Sequence, residues 1–571
     1  MSGQQGSLGF AGLGAMGFGT ASNLLKAGFQ VNGFDVNPTA LANFKELGGS
    51  TSTTAGEAGA GQRLFLIMVA TPAQVDSVIF GADGVLNTLS VGGVICLLST
   101  LPPVYVLNLC GRLATAGRAD IKLVDCPVSG GVVGGNTGKL TIMLGGSKED
   151  LDQVNPALQA ISSPGRLFRC GPLGSASTVK MLNQHLAGVH IVAAAEVIAF
   201  AKALGLSSRE AYGVLTKSEA TSWIMGDRGI SMLNADWSPK SAVSIFTKDL
   251  GIVNDTADEL SVPCPIASVA RDAFLERAGR GFGRDDDASV VCNYEGITGK
   301  PVAEPKGQAS LPSPPSESHG DVKVVIIIKD SDTELLSLST AAENKGLIHI
   351  SETSSDLDTK LSDLPQGSIV GVSGIESALL EKIKTKHAQL QVFDYQTYRA
   401  SDSEALQLIF STENESVVSA VKEVLPRQIA PIRVSGPVGS ASYMWLAIRL
   451  GSLVHLVAAA EAFNLAVAKG VSTELIYSLI SGAAGSSDQF NQKFPKMMDR
   501  DFSVTSNINS TFTNVMKDLA ILQKTMNKIN YPGRLFGAAY QTFKSVNRTL
   551  EDKETSAVAV IDFWTPKSPA S

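Results

Sequence analysis

Cysteine, charge of one sign and unbroken apolar runs are all scarce in this chain, and each scarcity narrows what it can be. Only six cysteines occur (Cys96, Cys110, Cys126, Cys170, Cys264 and Cys292), with no CxxC pair and none beyond residue 292. That pattern excludes a disulfide framework and a zinc cluster, so no metal is expected, and it suits a reducing compartment. The 47 Lys and Arg against 54 Asp and Glu leave a net charge of −7 with no long basic run, which argues against a nucleic-acid partner. Met1-Ser2-Gly3-Gln4-Gln5 has no basic or amphipathic targeting character, so a cytoplasmic location is expected. Apolar stretches such as Val189 to Ala201 are interrupted by His190 and Glu196. They read as buried helices of a soluble protein, with no membrane partner.

What is present is length and repetition. The 571 residues suffice for about three to five domains. Between Thr298 and Asp321 proline, serine and glycine dominate and the apolar period is lost, which predicts a flexible linker over 298–320. Across it the sequence repeats. Gly171-Pro172-Leu173-Gly174-Ser175-Ala176-Ser177 returns 265 residues later as Gly436-Pro437-Val438-Gly439-Ser440-Ala441-Ser442. At the same spacing His190 matches His455, and Val192 to Glu196 match Val457 to Glu461. Lys248-Asp249-Leu250 returns as Lys517-Asp518-Leu519 after a four-residue insertion. The two halves are a tandem duplication.

At the start of the first half, apolar Leu8 to Ala11 lead into Gly12-Leu13-Gly14-Ala15-Met16-Gly17, a helical stretch, and a second strand from Phe29 to Phe34. Three spaced glycines alone are weak evidence, but between a strand and a helix they have distinct tasks. Gly12 takes the tight turn, Gly14 lets backbone approach a pyrophosphate, and Gly17 permits close helix packing. Asp35 ends the second strand, where a carboxylate accepts from a ribose hydroxyl and repels a 2′-phosphate, favouring NAD over NADP. Further strand-like runs place Ala70-Thr71-Pro72, Ser99-Thr100-Leu101-Pro102 and Asp125-Cys126-Pro127-Val128-Ser129-Gly130-Gly131 at the sheet end where ligands bind.

These motifs, in order with Gly171 to Lys180 and Lys248-Asp249-Leu250, resemble the β-hydroxyacid dehydrogenase family, which includes 3-hydroxyisobutyrate and 6-phosphogluconate dehydrogenases. The resemblance spans nearly all of 7–297. It implies a Rossmann-like α/β domain (1–165) followed by an all-helical catalytic domain (166–297). It also implies a substrate loop at Asp125 to Gly131, a lysine at 180 in the catalytic segment, and a cofactor-side Lys248. Gln184 stands where relatives usually carry a second asparagine after the lysine, and Ser222-Trp223 with Arg228 resembles the threonate-dehydrogenase branch. A polyhydroxylated acid is therefore expected as substrate.

The chemistry is consistent with that implication. Oxidising an alcohol needs a base, and a desolvated lysine serves at working pH, a role assigned to Lys180. Gln184, four residues on, shares its helix face, and Asn183 borders it. Ser129 with the backbone N–H groups of Gly130 and Gly131 suits a substrate carboxylate, and Thr100 is placed beside the nicotinamide. A cofactor-binding regulatory protein without turnover and an NADPH-dependent imine reductase are the two alternatives.

The second half reads as a degenerate Rossmann-like domain (321–430) and a second helical domain (431–571). Lys329-Asp330-Ser331-Asp332 follow its first strand in place of a glycine turn. Trp445, Ile448 and Arg449 stand at the positions of Lys180, Asn183 and Gln184, and Tyr398-Arg399-Ala400 at those of Ser129-Gly130-Gly131. It is expected to be catalytically silent. Since family members pair through their helical lobes, it is also expected to form an intramolecular pseudo-dimer with the first half, with further self-association left open.

Overall fold

The computed structural model describes residues 6–305, 324–328, 347–351, 356–373, 378–399, 406–425, 428–504 and 511–564. Nine strands form the first sheet: β1 (Ser7–Ala11), β2 (Gln30–Phe34), β3 (Ser50–Thr51), β4 (Leu64–Ile67), β5 (Val94–Leu97), β6 (Lys122–Asp125), β7 (Val128–Ser129), β8 (Leu140–Gly145) and β9 (Ser162–Gly171). Their order is β3-β2-β1-β4-β5-β6-β8-β7, with β9 beside β8. The β1, β2, β4, β5 and β6 pairings are parallel, so all three ligand-side loops emerge from one edge. Strands β4 and β5 are buried on nearly every residue, as parallel strands covered on both faces must be.

The second sheet has six strands among the described residues, β10 (Val324–Ile328), β11 (Leu347–Ser351), β12 (Ile369–Ser373), β13 (Gln391–Arg399), β14 (Leu406–Ser411) and β15 (Ile429–Val434), in the order β11-β10-β12-β13-β14-β15. It repeats the first sheet's sense, parallel up to β13, antiparallel to β14 and parallel to β15. Where two parallel strands, β4 and β5, separate β1 from β6, the single strand β12 separates β10 from β13.

Two expected boundaries move. Strand β9 runs to Gly171, so the first sheet ends later than residue 165; Pro164 and Gly165 disguise its start in the sequence. Likewise β15 carries the second sheet past residue 430. The linker also begins later than 298. Val302 is fully buried, and the Glu304 carboxylate accepts from Lys202 Nζ (2.7 Å), Ser207 Oγ (2.7 Å) and Ser208 N (3.0 Å), fastening 299–305 to the first half. The rest of the expected linker, and Lys329 to Asp332, lie outside the described residues.

Each sheet is followed by a 29-residue helix, Ser175–Ala203 and Ser440–Ala468. Both are long and apolar enough to cross a membrane by composition, yet 89% and 83% of an apolar 18-residue stretch in each is buried inside the protein. They are apolar on every side because each is wrapped by its own helical domain and packed on the other long helix. Residues of both halves share one continuous core, with His190 and His455 meeting edge to face at 4.3 Å. Burial holds both imidazoles in the neutral form, His455 down to about 3.

Helix capping is exchanged between the halves. The helices Pro265–Arg277 and Arg534–Asn547 receive no side-chain cap from their own N-cap residues, Cys264 and Gly533. Glu461 supplies the first, accepting from Ile266 N (2.7 Å) and Ala267 N (3.2 Å) and pairing with His185 Nε2 (3.0 Å). Its repeat-mate Glu196 supplies the second, accepting from Leu535 N and Phe536 N (both 3.0 Å) and from the Tyr294 hydroxyl (2.7 Å). Each carboxylate thus satisfies orphan N–H groups and complements the positive end of a helix in the opposite half. Glu196→Ala would leave two buried N–H groups and a void, and should cost about 2–4 kcal/mol, read as a lower melting temperature of the whole chain.

Candidate active site

The candidate site forms where the first long helix starts beneath the ligand-side edge of the sheet. Asp125, at the end of β6, is buried and accepts from Gly174 N (3.1 Å) and Ser177 N (2.7 Å). Burial pushes its carboxyl above the ordinary range, opposed by those two N–H groups. The contact fixes the helix start against the sheet, and Lys180 lies one turn further along.

Lys180, only 6% exposed, donates from Nζ to Gln184 Oε1 at 2.8 Å. Asn183 Nδ2 donates to the same oxygen at 3.1 Å. Gln184 Nε2 in turn donates to Asp249 Oδ2 at 2.6 Å. Both amide orientations are therefore fixed. A carboxylate only accepts, so Gln184 must turn its nitrogen to Asp249 and its oxygen to Lys180. The backbone N–H of Gly485, from the second half, donates to Asn183 Oδ1 at 3.2 Å and turns the Asn183 nitrogen toward Gln184. Burial lowers the Lys180 pKa to about 8; the Asp249 charge works against that shift and the Lys248 charge adds to it.

Lys248 closes the circuit to the sheet. Its Nζ donates to the Thr100 carbonyl at 3.0 Å and lies 2.9 Å from Asp249 Oδ1. The structure thus brings Lys180, Asn183, Gln184, Lys248 and the Thr100 loop into one connected chain. Ser129 ends β7, and Gly130 (φ +133°) and Gly131 (φ +59°) follow it in the left-handed region, a turn that a side chain at either position would strain. Arg228 and Trp223 do not join the chain: Arg228 is paired with Asp287 (2.5 Å) and Asp227, and the half-exposed Trp223 donates its backbone N–H to Ser486 O (3.0 Å). The Cys126 thiol is buried, and burial raises it far above its usual value.

The glycine turn has the shape that a dinucleotide requires. Gly12 has φ +98° and its N–H donates to Phe34 O. A Cβ on Gly17 would strike Gly12 O at 1.8 Å, whereas one on Gly14 would meet nothing within 4 Å. Gly17 is therefore glycine for packing, and Gly14 faces open space through which a pyrophosphate can approach. The helix Gly17–Lys26 has no side-chain cap; Phe18 N donates to Gly14 O at 2.9 Å, and the positive end of the helix faces the turn, where an anion is favoured. Leu13 N donates to Asp35 Oδ2 at 2.6 Å and Asn37 N to Oδ1 at 2.8 Å, which holds the Asp35 carboxylate beside the turn carried by Leu13, Ala15 and Met16.

A dinucleotide-binding sheet joined to a helical domain that carries a buried lysine defines a two-domain dehydrogenase. Residues 7–173 match the NAD-binding domain of 6-phosphogluconate dehydrogenase. The NAD-binding domain of NADP-dependent 3-hydroxyisobutyrate dehydrogenase matches twice, at 174–294 and 439–562, once in each half. L-Threonate dehydrogenase of Cupriavidus necator is 38% identical over 292 residues, 51% of this chain and 97% of that protein. The Escherichia coli K12 enzyme of the same name is 37% identical over 51% of this chain and 95% of its own length. Among solved structures, 3-hydroxyisobutyrate dehydrogenase from Salmonella typhimurium is 36% identical, covering 51% of this chain and all of that one, with a TM-score of 0.47. The chain belongs to the 3-hydroxyisobutyrate and 6-phosphogluconate dehydrogenase family, NAD(P)-dependent enzymes that act on hydroxyl groups.

The electrostatics of the site make opposite predictions for its two neighbouring charges. Asp249→Asn removes the charge that favours the ammonium and should move the Lys180 titration below about 8, whereas Lys248→Met should move it upward. Lysine-selective NMR titration of the full chain reads both.

Proposed function

We propose that the first half is an NAD-dependent dehydrogenase of a small polyhydroxylated acid, threonate or erythronate in type, working in the cytoplasm with Lys180 as general base. The observation that carries this reading is the buried Lys180 amine, tied through Gln184 and Asp249 to the Lys248–Thr100 contact at the sheet edge. The 37–38% identity to L-threonate dehydrogenases supports the substrate class.

Gly12 to Gly17 would hold the pyrophosphate and Asp35 a ribose hydroxyl, with Thr100 and Lys248 at the nicotinamide end. When bound, the nicotinamide supplies the hydride acceptor. In oxidation Lys180 acts in its neutral form, taking the proton of the substrate hydroxyl at Nζ. With a pKa of about 8, roughly a tenth of the chains carry that form at pH 7. Gln184 Oε1 accepts one hydrogen bond from Nζ and so holds the amine in place. Ser129 and the N–H groups of Gly130 and Gly131 receive the substrate carboxylate, whose charge they match without offering a nucleophile. The second half serves as a pseudo-dimeric scaffold, supported by the shared core, the exchanged glutamate caps and the Gly485 contact on Asn183.

The test is a panel of aldonic and hydroxy acids with NAD and with NADP. NAD reduction on a four-carbon sugar acid is expected, and turnover confined to cyclic imines with NADPH would overturn the reading. Oxidation should rise with pH and level off above about 8, because the base must lose its proton; reduction should fall over the same range. Lys180→Ala should lower kcat/KM by about 10²–10⁴-fold with cofactor affinity retained. Asp35→Ala should raise KM for NAD about tenfold and narrow the preference over NADP, measured by initial rates with each cofactor.

A further inference from the structure

The silent half keeps a copy of the site's framework with different contents. Arg449 stands at the position of Gln184, and its Nε donates to Asp518 Oδ2 at 2.8 Å, as Gln184 donates to Asp249. The added length and charge of the guanidinium leave Nη1 and Nη2 to be satisfied. Nη1 donates at 2.7 Å to Glu219, a residue of the first half on the connection between the helices Ser208–Leu215 and Trp223–Asn234. Ser452 Oγ lies 3.2 Å from the same Glu219 oxygen. Tyr398, at the position of Ser129, is buried, and its hydroxyl has no partner among the described residues. Burial lifts that phenol to about 12, and the Glu219 charge adds to the shift, so the ring lies within electrostatic reach of the carboxylate. Arg449, 8% exposed, likewise keeps a buried Nη2 without a partner among the described residues. The mostly buried Lys493 is also within reach of Glu219, with Asp488 and Lys496 nearby on its own helix.

Arg449 Nη1 and Ser452 Oγ meet at one oxygen of Glu219, the carboxylate that the facing half sends into this buried place; Ser452 Oγ is also 3.2 Å from Arg449 O. Burying a guanidinium costs heavily unless it is fully paired, and Asp518 meets only one edge of this one. We propose that the second half retains a carboxylate-binding pocket and that Glu219 of the first half is its tethered occupant. The ligand class is a small carboxylate anion. Beyond Cβ, Glu219 contributes one methylene and one carboxylate, which are the atoms of acetate. The Glu219 side chain keeps 20% exposure, so the pocket opens to solvent. Its loop continues into Ser222 and Trp223, which pair with Ser487 and Ser486 beside Gly485. The inference does not depend on the substrate proposed above.

The test is chemical rescue in the full-length chain. Glu219→Ala should lower the melting temperature, and sodium acetate should restore about 2–4 °C of it saturably, against sodium chloride at equal ionic strength. The wild-type chain and Glu219→Gln, in which the pocket remains filled, should respond alike to the two salts. Adding Arg449→Met to Glu219→Ala should abolish the difference. If Glu219→Ala fails to fold, refolding yield in acetate against chloride becomes the readout, and a higher yield in acetate is expected. Equal responses to the two salts in Glu219→Ala, or rescue that survives loss of Arg449, would overturn the proposal.

Discussion

A helix that is apolar on every face cannot stand against water, and two such helices set the terms for this chain. Ser175–Ala203 and Ser440–Ala468 each need a complete apolar sleeve, and neither helical domain supplies the whole of it. They finish the burial on one another, at about 1.5–3 kcal/mol for each large aliphatic side chain removed from water. The rest follows from that contact. The halves face each other in matched register, so that repeat-mates such as His190 and His455 touch, and Glu196 and Glu461 reach N–H groups that no local residue caps.

The same burial sets the environment of Lys180. Lys180 belongs to the buried part of its helix because the helix is buried all round, and the lowered pKa is the electrostatic result of that position. A lysine on an amphipathic surface helix would have kept its head group in water. The polar chain through Gln184 and Asp249 compensates part of the desolvation while leaving the amine able to lose its proton.

Much of this was legible in the sequence, and the reasons differ by element. The glycine turn announces itself because each glycine answers a steric demand of the backbone, which a side chain at Gly12 or Gly17 would violate. The repeat shows because Gly171 to Ser177 and Val192 to Glu196 return without a gap 265 residues later. Asp249 as the partner of Gln184 was not legible: 65 residues separate them, although the Lys-Asp pair recurring at 517 and 518 was a signal that the position mattered. Gly485 contributes a backbone N–H from 302 residues away, and main-chain donors leave no trace in residue type. The two domain boundaries were misplaced for a related reason, since β9 is interrupted by Pro164 and Gly165 and β15 by Pro431, residues that read as loop but sit in strands.

The two halves are also one covalent chain, and that changes the thermodynamics of their union. Partners on separate chains come apart when diluted below their dissociation constant, while two modules on one backbone see each other at a local concentration fixed by the tether. The face that buries Asn183 and receives Gly485 is thus formed to the same extent in a dilute extract as in a crowded cell. Copies with unequal repertoires, one with Lys180 and one with Trp445 at the matching position, are also held at a strict one-to-one ratio that no mixing of free subunits would guarantee.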